Sequence, residues 1–551
     1  MFPIPPNGVR TAIPHEYTFI QPVFSPNVSV CYYASVWESL KKIPAGGKVS
    51  DSRHRINESS ERKRILRNFR SSISERPLLQ VALMLFWAWL NLAFQGPLFF
   101  PPVLLSDGFY LSTWLAPIFA SVLAYFTLGV WFKRTNHVIR KRWYPGFVAA
   151  LMTLGALLCF IWINVFGSAL SLALPLVLYV VGSFLLGIGT ALLMIEWGRI
   201  FGYLGPQQVL YHGIVAMIGS ALLMAALSLV PPCVGQLAFV LIPLPLIVCF
   251  YKTLASLPHK TLYCHGLNAK LKTPYKFLAT ALIHGLSLGI LMGWLILVGN
   301  QMVSNLITSL SFVFAAVLLL LTAVSVKMDF NHLIYQVGFG ITSTGAFLIA
   351  CSGDFCIPGI SLQQIGFCYV HLVMWGLCSY LTKNFKLPAT WVIAWPTCCL
   401  MLGELIGGIT GSILIQQGDA DHQIGMMATC MVFILLMASL IMLSNRNLLT
   451  GWGMASPAHH VHGEMTVDAI VDRFALEKNL TRRESEIFAL MARGRNRKVI
   501  SAELVISEET AKSHISGLYR KLDVHSQQDL LSLVEENLNE LQGEKDGMLF
   551  N

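Results

Sequence analysis

Residues Phe277–Val298 read FLATALIHGLSLGILMGWLILV, 22 residues without an Asp, Glu, Lys or Arg. The hydrocarbon core of a bilayer is crossed by about 20 residues of helix, and lipid offers no partner to an unpaired backbone group. A run of this length and composition therefore reads as a membrane-spanning α-helix. Outward from it, similar runs lie at roughly 78–100, 112–132, 143–166, 170–195, 209–230, 233–251, 304–326, 333–351, 360–381, 388–415 and 424–443. The pattern predicts twelve spans, with the break at Pro231-Pro232 the least marked of the boundaries.

The rest of the composition agrees. Of 551 residues 55% are apolar and 12% charged, against about 25% charged in soluble domains, which excludes an ordinary soluble enzyme. The charge is also unevenly placed: residues 1–76 hold 12 Lys and Arg against 6 Asp and Glu, 77–445 hold 14 against 7, and 446–551 hold 13 against 16. Twelve cysteines, none after Cys430 and most inside apolar runs, do not make a disulfide framework. Cys351 and Cys356, flanking a short outer loop, are read as thiols, a disulfide between them being the alternative if that face is oxidising. Residues 1–76 lack a secretory signal pattern, so the first span is expected to remain as an anchor.

Lys and Arg are retained on the cytoplasmic side of a membrane. The loops after spans two, four, six, eight and ten carry five, one, five, one and two of them, and the loops after the odd spans none. This bias places both termini in the cytoplasm of a multi-pass protein of the cell membrane. The loop from Lys252 to Lys276 is the longest and divides the spans six and six. That layout resembles the major facilitator superfamily, whose two six-helix halves enclose a site at the bilayer midplane. The loop after span two, Lys133-Arg-Thr-Asn-His-Val-Ile-Arg-Lys-Arg142, departs from the Gly- and Asp-containing pattern that the transporters of that superfamily carry there.

Ionisable groups inside spans are costly and so point to function. Glu404 lies on a stripe of small residues, Gly403, Gly407 and Gly411, which lets helices approach closely. It is a candidate sensing residue, the alternative being a neutral Glu hydrogen-bonded across a helix contact. His284 and His371 are weaker candidates, since buried histidines such as these and His212 are more often satisfied interior groups. Glu196 and Arg199 read as a structural ion pair.

After Asn445 the character changes. Residues 446–479 read as a linker, His459-His460-Val461-His462 included, because no Cys or carboxylate stands at ligand spacing to make it a metal site. A compact domain is expected at 480–541 and a tail at 542–551. Thr481-Arg482-Arg483-Glu484 is a capping box opening a helix with Ile487, Leu490 and Met491 inward, and Gly494 ends it. A second helix covers about Arg497–Leu504. Ser507 caps a third, Glu508–Leu522, with Ala511, Ile515, Leu518 and Leu522 on its apolar face. Ser526-Gln-Gln-Asp529 opens a fourth, carrying Leu530, Leu533 and Val534. Four short helices with a tight turn between the second and third make a helix-turn-helix.

The blocks Leu480-Thr-Arg-Arg-Glu484, Ala492-Arg-Gly494, Leu504-Val-Ile-Ser507, Thr510-Ala-Lys-Ser-His514 and Lys521-Leu-Asp-Val524 resemble the LuxR-type helix-turn-helix in order and spacing over about 60 residues. The resemblance implies that the third helix enters the major groove of DNA, with Thr510, Lys512, Ser513 and Ser516 at the contacting positions, and that two copies meet on a two-fold operator. Two departures stand out: Arg497-Lys498-Val499 where the family has Asn-Lys-Glu, and Gln527 where it has Arg. Positive residues cluster on the same elements, Arg493, Arg495, Arg497 and Lys498 about the second helix and Lys512, Arg520 and Lys521 on the third, and phosphate contacts would come from there.

The expected fold class is thus all-α: a polytopic membrane bundle of twelve helices, six and six, over 77–445, followed by a four-helix DNA-binding domain. Residues 1–76 read as a disordered cytoplasmic tail, with Arg62–Arg67 as an alternative helix on anionic lipid. No phosphate loop, nucleophile elbow or metal cluster points to catalysis or to a cofactor. The expected function is that of a membrane-bound one-component transcription regulator, in which the bundle senses an unknown small-molecule ligand and controls DNA binding. A transporter of the major-facilitator type with a regulatory DNA-binding tail is the alternative.

Overall fold

The computed structural model describes residues 69–534 apart from 95–99, 102, 107–108, 169, 171–172, 258–274, 299–300, 326–327, 352–354, 386, 418–419, 443–469, 472–473, 476 and 505, together with 537. Each expected span has a helix: α1 Pro77–Phe94, α2 Leu115–Val130, α3 Tyr144–Phe166, α4 Ala173–Leu204, α5 Pro206–Ser228, α6 Pro232–Ser256, α7 Tyr275–Val298, α8 Gln301–Leu319, α9 His332–Ala350, α10 Cys356–Phe385, α11 Ala389–Leu414 and α12 Ala420–Met442. Among the described residues eleven helices are long and apolar enough to cross a membrane. The exception is α2, 16 residues long, which turns by 96° into a short helix, Phe132–Val138, where Lys133 and Arg134 replace apolar sequence. The break at 231–232 is where α6 begins, with Pro232 at a first helical position that has no use for an N–H.

Helix packing repeats with a period of six spans. In the first half α1 packs on α5 and α6, α2 on α4, and α3 on α4 and α6; in the second α7 packs on α11 and α12, α8 on α10, and α9 on α10 and α12. Across the halves α2 meets α11 and α5 meets α8, again as a symmetric pair. This is the two-fold six-plus-six arrangement that the long Lys252–Lys276 loop implied.

The tightest crossing is α7 on α11. A Cβ on Gly285 would fall on the Leu400 carbonyl oxygen, one on Gly289 on the Glu404 carbonyl oxygen and 2.8 Å from the Gly408 nitrogen, and one on Gly293 2.9 Å from the Gly408 oxygen. From the other side, Cβ atoms on Gly403 and Gly407 would each lie 2.8 Å from a backbone nitrogen of α7, those of Leu286 and Ile290. The stripe on α11 thus meets a second stripe, Gly285-x₃-Gly289-x₃-Gly293, and backbones touch where apolar solvent gives no hydrophobic drive for larger side chains to associate.

The all-α class is borne out, with one short antiparallel hairpin between α1 and α2, β1 Val103–Ser106 and β2 Phe109–Leu111. One expectation needs correction. Disorder through residue 76 does not hold at its end: residues 69–74 are helical, the Phe69 ring meets Tyr211 edge-on at 5.1 Å, and the Arg76 guanidinium sits 5.5 Å over Tyr203. Aromatic contacts with the bundle give this stretch the burial that the rest of its polar composition would not. The expectations for residues 1–68 and for 459–462 lie outside the described residues.

The tail has its own core, in which Ile487, Phe488, Met491, Ile500, Leu518, Leu522, Leu530 and Val534 pack together. Ile470, Val471 and Phe474 join it from within the stretch read as linker, Phe474 meeting Phe488 edge-on at 6.0 Å. The helices are α13 Arg482–Ala492, α14 Arg497–Glu503 and α15 Glu508–Leu522, followed by helical residues 527–534.

Candidate functional site

The starts and stops of the tail helices are set by side chains. Thr481 and Glu484 form a complete capping box on α13, and Gly494 follows that helix at φ +77°. Asn496 caps α14 by accepting from the Val499 N–H at 3.0 Å, a signal that the sequence reading missed although Asn is among the best N-cap residues. Ser507 caps α15 and accepts from the Thr510 N–H at 3.0 Å. His525 N–H donates to Asp529 and Asp529 N–H to Ser526, both at 3.1 Å, closing the same kind of box on the last helix. Gln527 donates to the Arg495 carbonyl at 3.0 Å, so the fourth helix is pinned to the turn between α13 and α14 by a neutral hydrogen bond at the position where the family has Arg.

With the helices fixed, α15 divides into two faces. Ala511, Leu518 and Leu522 are buried, while Lys512, Ser513, Ser516 and Arg520 are exposed, at a spacing that sets them in a row along one side. Thr510 is exposed, its hydroxyl 2.8 Å from that of Ser507. Arg497 and Lys498 are exposed on α14, Arg497 lying 3.8 Å from Glu508.

Lys521 is placed differently from the other expected DNA contacts. Its ammonium donates to Glu484 Oε2 at 2.7 Å and to the Asn479 carbonyl at 3.0 Å, tying the end of α15 to the start of α13. The same carboxylate accepts from the Thr481 N–H and hydroxyl at 2.7 and 2.9 Å. Burial works to raise the Glu484 carboxyl, but hydrogen bonds from Lys521 and Thr481 outweigh it and hold it down to about 2, from 4.5. A carboxyl depressed on folding contributes stability that is complete above its unfolded value and is lost as pH falls through the folded one. The 466–551 fragment should therefore lose stability between about pH 4.5 and pH 2, and Glu484→Gln should cost roughly 1 kcal/mol at neutral pH and flatten that acid limb. Urea unfolding across pH checks this; an unchanged acid limb in the variant would remove Glu484 as its cause.

Residues 478–534 match the family described as bacterial regulatory proteins, luxR family. The C-terminal domain is a LuxR-type helix-turn-helix. Curated relatives share this segment: the response regulatory protein YgeK of Escherichia coli is 39% identical over 67 residues, 12% of this chain and 46% of that protein. The nitrate/nitrite response regulator homolog of Haemophilus influenzae is 40% identical over 72 residues, 12% of this chain and 35% of its own length. The spore germination protein GerE of Bacillus subtilis is 47% identical over 45 residues, 8% of this chain and 61% of GerE. The chain thus spans less than two thirds of each of these relatives, and the likeness is confined to the LuxR-type domain.

The bundle overlaps loosely with solved transporters. One is a bacterial homologue of the iron transporter ferroportin, with a TM-score of 0.46 and 15% identity over 67% of this chain and 99% of that one. Another is the Escherichia coli fucose:proton symporter FucP, at 0.44 and 13% over 67% and 99%. Overlap this loose carries no assignment, and the six-plus-six arrangement rests on the packing repeat described above.

Within the bundle, two of the three sensing candidates line one cavity of about 40 Å³, walled by α1, α8, α10 and α11. Glu404 and His371 share it with Asn91, Trp87, Phe94, Phe312 and Phe367. His284, the third, stacks on Phe367 at 4.3 Å and lies 6.3 Å from His371, centroid to centroid. Glu404 Oε1, His371 Nδ1, His284 Nε2, Asn91 Oδ1 and Trp87 Nε1 are buried without a hydrogen-bond partner. The expectation of satisfied interior histidines fails for His284 and His371, each of which keeps a buried ring nitrogen without a partner. His212 is satisfied on one side, its Nδ1 pairing with Gln80 at 3.0 Å while its Nε2 is buried without a partner. Asn91 and Trp87 were not foreseen; an Asn in an apolar span was the available signal. Glu196 and Arg199 form the expected ion pair at 3.3 Å, both buried. Cys351 and Cys356 are not joined in a disulfide.

Proposed function

We propose that this chain is a one-component transcription regulator held in the cell membrane, in which ligand binding within the helix bundle sets the affinity of the LuxR-type domain for an operator. The observation that carries the reading is the row Lys512, Ser513, Ser516 and Arg520, exposed on a helix whose opposite side is core. Such a face offers phosphate and base contacts without disturbing the fold. Arg497 and Lys498 extend it for backbone contacts, and two copies on a two-fold site complete the arrangement, as in other helix-turn-helix dimers. Lys521 is left to its structural tie with Glu484. The bundle contributes the sensor, with Glu404, His371 and His284 as the groups that respond.

DNA captured with the full chain from native membranes is the direct test: one enriched sequence, lost in a Lys512→Ala, Arg520→Ala double variant, supports the reading, and no enrichment overturns it. Orientation is a separate expected outcome. Reporters fused after Lys272 or Asn551 should read as cytoplasmic and one fused after Asp419 as external; an external signal from the Asn551 fusion would put the domain out of reach of DNA. A second reading, solute transport with a regulatory tail, is favoured by the six-span packing repeat and by the cavity that Glu404 and His371 share, and flux of a labelled solute into vesicles would establish it.

A further inference from the structure

We infer that the cavity beside Glu404 is a binding site for a small organic ammonium ion, a compact cation of a few heavy atoms. The inference rests on the sensing role given to the bundle only for its consequence, not for the binding itself.

Glu404 is a fully enclosed carboxyl, 1% exposed. Among the described residues the one buried Lys or Arg of the bundle is Arg199, and it is engaged with Glu196 and with Asn136. A buried carboxylate is retained only when a cation or a proton accompanies it. The groups around this one favour a cation. The Asn91 carbonyl oxygen is a second unpartnered acceptor on the same cavity, and His371 Nδ1 is a third in the tautomer that leaves it unprotonated. The rest of the wall is apolar, Leu90 and Met401 beside the aromatic Trp87, Phe94, Phe312 and Phe367, and the faces of aromatic rings attract cations that have shed their water. His371 and Cys368 are the other titratable groups on the cavity, with His284 behind Phe367; none supplies a fixed positive charge.

Size and donor chemistry narrow the cation. A volume of about 40 Å³ holds roughly three water-sized groups, which suits methylammonium or ethylammonium. One carboxylate and one amide oxygen are too few for a hard metal ion, which takes six or more oxygens. They do suit an N⁺–H group, which needs two or three acceptors and tolerates an apolar flank.

The test uses the full chain in nanodiscs and reads the midpoint of thermal unfolding against ethylammonium chloride, with sodium chloride and ethanol at equal concentrations. A ligand that binds the native state raises the midpoint with concentration. Ethylammonium should raise it by several degrees, sodium and ethanol should not, and Glu404→Gln should weaken the response at least tenfold. Asn91→Leu, which leaves the carboxyl in place, should weaken it as well and serves if Glu404→Gln does not assemble. No rise with ethylammonium, an equal rise with sodium, or a rise unchanged in both variants overturns the inference. The assay contains no DNA, so its failure leaves the regulator reading standing. Ethylammonium binding without any change in operator occupancy would sink the sensing role and keep the site.

Discussion

Gly289→Leu should abolish assembly of the membrane bundle. At this position α7 and α11 touch backbone to backbone: a Cβ would fall on the Glu404 carbonyl oxygen and within 2.9 Å of the Glu404 carbonyl carbon. Neither atom can step aside, because both belong to a helix that is itself wedged against α7 by Gly403 and Gly407. Overpacking a core usually costs about 1–3 kcal/mol. Here a whole side chain must force α7 and α11 apart along three glycine positions, so the cost should exceed that range. The consequence reaches function, since the carbonyl that would be displaced belongs to Glu404 and its shift would open the cavity. Yield and monodispersity of the detergent-extracted protein are the measurement. Gly340→Ala is the control, because a Cβ there meets nothing within 4 Å. Wild-type behaviour of Gly289→Leu would mean that the close crossing does not hold the bundle.

What could be read from sequence follows from which interactions are local. The apolar spans were legible, eleven of the twelve having among the described residues a helix long enough to cross, because a membrane demands long apolar runs whatever their partners. Helix ends in the tail were legible because caps are set within four residues, as at Thr481 and Ser507. The glycine stripe on α11 was seen and its mate on α7 was not, although Gly285, Gly289 and Gly293 have the same period, because two stripes become one contact only when the helices are known to be neighbours. The cavity was hidden for a like reason. Glu404, His371 and Asn91 stand on three helices 33 to 313 residues apart, and each alone is an ordinary polar residue in a span. Lys521 is the converse case: the sequence shows a basic residue on α15, and its tie to Glu484 at 2.7 Å is visible only in the fold.

Lys512→Ala should weaken operator binding while leaving the domain folded. Lys512 is exposed on α15, next to buried Ala511 and on the side away from buried Leu518 and Leu522, so its removal takes nothing from the core. The expected loss is roughly 1–3 kcal/mol if the ammonium reaches a base edge. If it reaches a phosphate instead, affinity should fall about equally on all sequences and the slope of log affinity against log salt should become shallower by about one contact. Lys521→Ala separates contact from stability, because it breaks the tie to Glu484 and Asn479; it should lower the urea midpoint more than Lys512→Ala does. Footprinting the 466–551 fragment and its two variants across a salt series, with urea unfolding of the same samples, distinguishes these outcomes. Equal protection by wild type and Lys512→Ala at every salt concentration would show that this face of α15 does not read DNA, and would leave the row Lys512, Ser513, Ser516 and Arg520 as a solvated helix surface.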